Sequence, residues 1–133
     1  MIVIDASTVI SSVLEDENSA SADIALAHAA REGALVPGNF WTEIIHALLR
    51  AEHRNRVDET TADLDLAEIQ VLPFEIEFPD AHAVLSIARK HQLTGYDAAY
   101  LALALQTKLP LATVDTHLAS AASATKCAWK PQR

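Results

Sequence analysis

Four acidic residues, far apart in the chain, lie where short apolar segments end or where helices are expected to begin. Asp5 and Asp115 end the apolar runs 1–4 and 110–114, and Glu43 and Asp97 fall in the first turn of predicted helices. Each of them alone could be a turn residue or a helix cap, since acidic side chains are common at both positions. In a parallel sheet, however, the ends of the strands and the starts of the following helices share one edge. All four carboxylates can therefore converge on one cleft.

Four carboxylates in one cleft would need a cation. Two carboxylates ~4 Å apart repel each other by roughly 4 kcal/mol at an effective dielectric constant near 20, so protonation or a bound cation must offset the repulsion. A carboxylate cluster without neighbouring Cys or His favours hard cations, Mg²⁺ or Mn²⁺. One or two such ions activate water and stabilise the leaving oxygen when a phosphodiester is cleaved. Metal-assisted phosphodiester hydrolysis is thus the chemistry that these acids predict.

Short strands that alternate with helices would position the acids. Strands are predicted at residues 1–4, 34–37, 71–75 and 110–114, with 127–129 as a closing strand. Pro73 makes the third strand the weakest of them and favours an edge position. Helices are predicted to follow near residues 5, 21, 40, 58, 80, 95 and 116, and Gly33 is expected to end the second one. This alternation predicts an α/β domain with a mostly parallel sheet.

Bulk properties limit the class of protein. The 133 residues, half of them hydrophobic, predict a single folded domain over 1–133. The net charge of −8 argues against nucleic-acid binding by bulk electrostatics, but not against an enzyme that meets a phosphate backbone through metal ions. One cysteine, no signal peptide and no apolar run of ~20 residues predict a cytoplasmic protein without a membrane segment. The three glycines form neither G-x-G-x-x-G nor a P-loop, which disfavours a nucleotide-binding fold.

The segments that carry the four acids resemble those of PIN-domain proteins and, within that family, those of VapC-type toxin ribonucleases. The matching pieces are Val3-Ile4-Asp5-Ala6-Ser7, Trp41-Thr42-Glu43-Ile44 with Ala47-Leu48 and Arg50, Tyr96-Asp97-Ala98-Ala99-Tyr100-Leu101-Ala102-Leu103-Ala104, and Ala112-Thr113-Val114-Asp115 with Leu118. The third piece is fairly specific, and the likeness covers essentially the whole chain in the family's order and size. It implies a three-layer α/β/α PIN-like fold with a central, mostly parallel sheet of four to five short strands.

The resemblance also implies roles for the site residues. The four catalytic acids correspond to Asp5, Glu43, Asp97 and Asp115. Asp5 and Asp97 are expected to be the main ligands of Mg²⁺ or Mn²⁺, while Glu43 and Asp115 would ligate through water, hold a second ion or orient the attacking water. Ser7 and Thr113 match hydroxyl positions beside the first and last acids and are expected to orient carboxylates or metal-bound water.

The same resemblance implies partners. The substrate would be RNA, and a cognate antitoxin would cover the acidic cleft with its tail. A homodimer is expected, and DNA would be contacted only through the antitoxin complex. The alternative is a catalytically silent PIN-like interaction module, against which the presence of all four acids counts. A phosphoacceptor domain is disfavoured, because Asp5 lacks a paired acid and Lys108 precedes its strand.

A basic cluster follows Glu43 in the chain and consists of His46, Arg50, His53, Arg54 and Arg56. Two interpretations of Arg50 and Arg54 stay open: they bind RNA phosphates near the site, or they complement the C-terminal end of a helix on a solvated face. His46 is a departure from the family, which often has asparagine there. We expect this histidine to be exposed or packed rather than bonded to a carboxylate.

Overall fold

The computed structural model of the protein describes residues 1–14, 17 and 19–131. Within them, four short parallel strands form one sheet: β1 (Ile2–Ile4), β2 (Ala34–Val36), β3 (Phe74–Ile76) and β4 (Leu111–Ala112). Their order across the sheet is β3-β2-β1-β4. An isolated parallel bridge joins Leu111 to Ala128, where the sequence predicts the closing strand. The predicted α/β class and parallel sheet are confirmed.

The described residues form seven helices: α1 (Ala6–Val13), α2 (Ala20–Glu32), α3 (Phe40–His53), α4 (Glu59–Gln70), α5 (Ala81–His91), α6 (Gly95–Thr107) and α7 (Thr116–Ala124). One group, α1 to α4, packs together and contacts β1 through α2, whereas α5 to α7 form a second group that contacts β1 and β4 through α6. The sheet and the two groups of helices form an α/β/α arrangement. None of the helices described here is long and apolar enough to cross a bilayer.

Strands β1, β2 and β4 are buried, which explains why they are continuous apolar runs rather than alternating ones, whereas the edge strand β3 is partly exposed and contains Glu75. The side chains of Ile2, Val3 and Ile4 are at most 1% exposed. The segment from Ala98 to Ala104 in α6 is buried along its whole length, and its many alanines allow a close approach to the sheet. Gly33 ends α2 as predicted, with a φ of 82° that other residues rarely adopt.

Two strands differ from the sequence prediction by more than one residue at an end. The third strand begins at Phe74, three residues later than predicted, because Val71 still caps α4 and the N–H of Leu72 bonds the carbonyl of Ile69 at 3.2 Å. Pro73 has no N–H for the ladder, so pairing starts only after it. The strand does lie at the edge of the sheet, as Pro73 indicates. The fourth strand is shorter than predicted and pairs only at Leu111 and Ala112.

Candidate active site

Asp5 directly follows β1 and caps α1. Its side chain is only 3% exposed, and its two oxygens accept four hydrogen bonds. The Oδ1 atom accepts from the backbone N–H of Thr8 at 3.2 Å and from the Thr8 hydroxyl, and Oδ2 accepts from the hydroxyls of Ser7 at 2.7 Å and Thr113 at 3.0 Å. Burial raises the pKa of Asp5, and these hydrogen bonds oppose the rise by favouring the charged form. The local sequence thus surrounds a buried carboxylate with hydroxyl donors.

Asp115 directly precedes α7 and is tied to Asp5. Its Oδ2 atom caps α7 by accepting a backbone N–H of the first turn at 2.8 Å. The hydroxyl of Thr113 donates to Asp5 and accepts from the N–H of Asp115 at 3.0 Å. The hydroxyl of Thr8 accepts from the N–H of Val114 at 3.0 Å. Two threonines therefore hold the chain beyond β4 against the acid that follows β1.

Glu43 lies in the first turn of α3 and is partly buried. Its Oε2 atom accepts from Nδ2 of Asn39 at 2.6 Å and from the hydroxyl of Tyr100 at 2.7 Å. Burial raises the pKa of Glu43, and the nearby carboxylates of Asp97 and Asp5 raise it further, against the two hydrogen bonds. Glu43 is therefore within electrostatic reach of two of the other three acids.

Asp97 is the third residue of α6, but Thr94 caps this helix. The Thr94 hydroxyl accepts from the N–H of Asp97 at 3.1 Å. The alternative that Asp97 is only the cap of this helix is therefore wrong. Burial raises the pKa of Asp97; the neighbouring carboxylate of Asp115 adds to the rise, and His117 opposes it. The carboxylate is thereby free of a capping role and lies beside another acid.

The four acids form a connected group at the carboxyl edge of the sheet. Each interacts with at least one other, either through its charge or through Thr113. Within the described part of the chain, however, no three His, Cys, Asp or Glu side chains are placed to hold a metal ion together. The chemistry of the group nevertheless fits a hard divalent cation, since its donors are carboxylate oxygens whose like charges oppose one another. Such a cation would favour the ionised forms that burial disfavours.

Three residues of the site were not singled out from the sequence: Thr8, Asn39 and Tyr100. Asn39 precedes Glu43 by four residues, a spacing at which side chains meet on a helix. Tyr100 is the only polar side chain in the buried run from Ala98 to Ala104, and a buried tyrosine hydroxyl usually has a partner. The spacing of Asn39 and the polar group of Tyr100 can both be seen in the sequence, but neither shows that Tyr100 bonds Glu43.

The predicted basic pair is exposed on α3. Arg50 lies in the last turn and Arg54 is the C-cap residue, which is the geometry of cations that complement a helix terminus. Arg50 is also seven residues after Glu43, so it shares that side of the helix about 10 Å further along the axis. Arg56 forms an ion pair with Glu17 at 3.3 Å. His46 is exposed, as expected.

Comparison with known proteins gives a family. Residues 2–124, which include all four acids, match the family described as PIN domain. Ribonuclease VapC1 of Mycobacterium tuberculosis, in strains CDC 1551 / Oshkosh and H37Rv, is 35% identical over 83 residues, or 59% of this chain. The match spans 60% of the length of VapC1. The crystal structure of PAE2754 from Pyrobaculum aerophilum has a TM-score of 0.71 and 27% identity, over 90% of this chain and 78% of that one.

Proposed function

Because the chain belongs to the PIN domain family, we propose that it is a metal-dependent endoribonuclease and the toxin of a VapC-type toxin–antitoxin pair. The predicted PIN-like fold is confirmed by the family match and by the structural neighbour. The observation that carries the proposal is the connected group of four acids at the carboxyl edge of the sheet. Burial raises the pKa values of three of them, Asp5, Glu43 and Asp97, and neighbouring carboxylates raise those of Glu43 and Asp97 further.

Mg²⁺ is the proposed cofactor, with Mn²⁺ able to substitute. Asp5 and Asp97 would hold it, with Glu43 and Asp115 as further acids of the site. When bound, the ion supplies a Lewis acid for the phosphate and lowers the pKa of water. The chain itself keeps the acids in place: Ser7, Thr8 and Thr113 hold Asp5, while Asn39 and Tyr100 hold Glu43. A raised pKa also makes Glu43 a better proton acceptor, so we assign to Glu43 the role of accepting a proton from the attacking water.

The wider assignments rest on the likeness to VapC1 and on the resemblance of the motifs. We propose RNA as the substrate, a cognate antitoxin whose tail covers the acidic cleft, a homodimer, and contact with DNA only through the antitoxin complex. We take residues 1–133 as one PIN domain acting in the cytoplasm. The alternative, a catalytically silent PIN-like interaction module, would keep the fold but would bind no metal ion.

The decisive experiment is RNA cleavage by the purified, partner-free protein. Total cellular RNA is incubated with Mg²⁺, with Mn²⁺ or with EDTA, and the fragments are mapped. We expect fragments with either metal ion and none with EDTA, because EDTA removes the cation that would polarise the phosphate and lower the pKa of water. Absence of cleavage together with absence of Mn²⁺ binding in a calorimetric titration would favour the interaction module.

Reversing the charge of Arg54 tests whether the basic pair binds RNA. If Arg54 contacts a phosphate, Arg54→Glu weakens RNA affinity. It also makes the slope of log affinity against log salt shallower by about 1, because the complex then has one phosphate contact fewer and its formation releases fewer counterions. Arg31→Glu is the matched control. Arg31 is also exposed in the last turn of a helix, but it lies just before β2, at the amino end of the strands and so away from the acids. Equal affinities and slopes for both variants would leave Arg54 as a helix-terminal cation.

A further inference from the structure

Glu43 is held through one of its two oxygens. Both described hydrogen bonds to this side chain, from Asn39 at 2.6 Å and from Tyr100 at 2.7 Å, end on Oε2. Two donors already use the lone pairs of Oε2, whereas no described hydrogen bond ends on Oε1. The Oε1 atom is the one left for a ligand in the cleft.

The two donors to Glu43 come from different parts of the chain, and their hydrogen bonds connect α3 with α6. Asn39 precedes α3 and also lies within 3.5 Å of the carbonyl oxygen of Tyr96 in the first turn of α6. Tyr100 belongs to α6 itself, one turn and about 4.5 Å along the axis from Asp97. The bonds therefore set the position of Glu43 relative to the helix that carries Asp97.

The Tyr100 hydroxyl has polar contacts beside the acidic site, with Glu43 and with the backbone of Ala6, the residue that follows Asp5. Tyr100 is 0% exposed within an otherwise apolar run, where a phenylalanine of the same shape would fill the space. A buried hydroxyl needs a partner, and this one donates to a carboxylate 57 residues earlier in the chain. Burial and the neighbouring charge of Glu43 raise the pKa of Tyr100 well above its usual range, so the hydroxyl stays a donor.

We propose that Asn39 and Tyr100 are positioning residues that fix Glu43 by Oε2 and present Oε1 to the metal and water of the acidic cleft. This inference rests on the proposed nuclease function and deepens it, since it adds two residues that act through Glu43 and touch neither RNA nor metal.

The test compares Tyr100→Phe with Tyr96→Phe. Each change removes one hydroxyl from α6, but Tyr96 is 65% exposed, and among the described residues only Tyr100 donates a tyrosine hydroxyl to Glu43. We expect Tyr100→Phe to lower kcat by roughly 10- to 100-fold, the usual cost of losing a partner of a metal-site carboxylate. We expect KM for RNA to stay within about 2-fold and Mn²⁺ affinity to fall by roughly 10-fold, with Tyr96→Phe unchanged in all three. Asn39→Ala should resemble Tyr100→Phe.

A double-mutant cycle separates positioning from general stability. In a Glu43→Ala background, Tyr100→Phe should lower the residual kcat by less than about 2-fold, because the carboxylate that it positions is absent. An equal loss of kcat in both backgrounds would mean a structural role and would overturn the proposal. So would a Tyr100→Phe enzyme with the kcat and Mn²⁺ affinity of the wild type.

The Mn²⁺ titration keeps the inference testable apart from cleavage. If the wild-type protein cleaves no RNA, the proposed function fails, but weaker Mn²⁺ binding by Tyr100→Phe than by Tyr96→Phe still supports the positioning of Glu43. Equal Mn²⁺ affinities of the two variants, or no binding by the wild type, overturn it.

Discussion

Asp97→Asn is expected to lower metal-dependent RNA cleavage by roughly 10³-fold or more while leaving the fold intact. The cost corresponds to ~4 kcal/mol of lost charge stabilisation in the transition state, a reasonable size for removing a main metal ligand. The fold should survive because Thr94, not Asp97, caps α6, and because asparagine has nearly the same shape. The measurement is the initial rate on one defined RNA fragment with saturating Mn²⁺.

Asp80→Asn is the matched control for this variant. Asp80 also lies at the start of a helix, where its side chain accepts the N–H of Ala83 at 3.0 Å, but it is exposed and belongs to no acidic group described above. Asparagine can cap a helix as well as aspartate, so the rate should equal that of the wild type. If fragments persisted at the wild-type rate with Asp97→Asn, the cleavage would come from another site or from a contaminating nuclease.

The parts of the fold that the sequence predicts well are those set by local physics. β1 and β2 are recognisable because strands buried on both faces need continuous apolar side chains, and the end of α2 because Gly33 alone tolerates the required φ. The start of β3 was placed wrongly because the apolar residues Val71 and Leu72 suit a strand as well as a helix end. Only tertiary packing of α4 decides between the two.

The site divides in the same way. The acids could be proposed from their positions at strand ends and helix starts, since topology alone brings those points to one edge. Their hydrogen-bond donors could not, because the partners lie far apart: Tyr100 is 57 residues from Glu43, and Thr113 is 108 from Asp5. Such pairings depend on how one helix or loop is positioned sideways against another. The periodicity of hydrophobic residues in the sequence gives no information about that position.

The metal-free protein is expected to lose stability from its acidic site as the pH rises, and Mn²⁺ should reverse that loss. Burial raises the folded-state pKa values of Asp5, Glu43 and Asp97 above their unfolded values. The folded state therefore binds more protons, so the contribution of these groups is fully present below the unfolded pKa values and is lost as the pH rises through the folded ones. A divalent cation binds only the ionised, folded site, so it should raise Tm more at about pH 8 than at about pH 5.

Asp97→Asn isolates this effect from the titration of the remaining acids. Its neutral side chain removes both a partly buried charge and the repulsion from Asp115. The difference in Tm between variant and wild type, measured by thermal denaturation in EDTA, should thus be near zero at about pH 4 and positive by a few degrees at about pH 8. Mn²⁺ should reverse the order, because the variant has lost a ligand. Asp80→Asn, which changes an exposed carboxylate, should have the Tm of the wild type in both EDTA and Mn²⁺.

If the Tm of Asp97→Asn in EDTA stayed below that of the wild type at every pH, the charge of Asp97 would stabilise the metal-free fold. The carboxylates would then already be compensated within the protein itself, which would remove the electrostatic reason for expecting a cation among them.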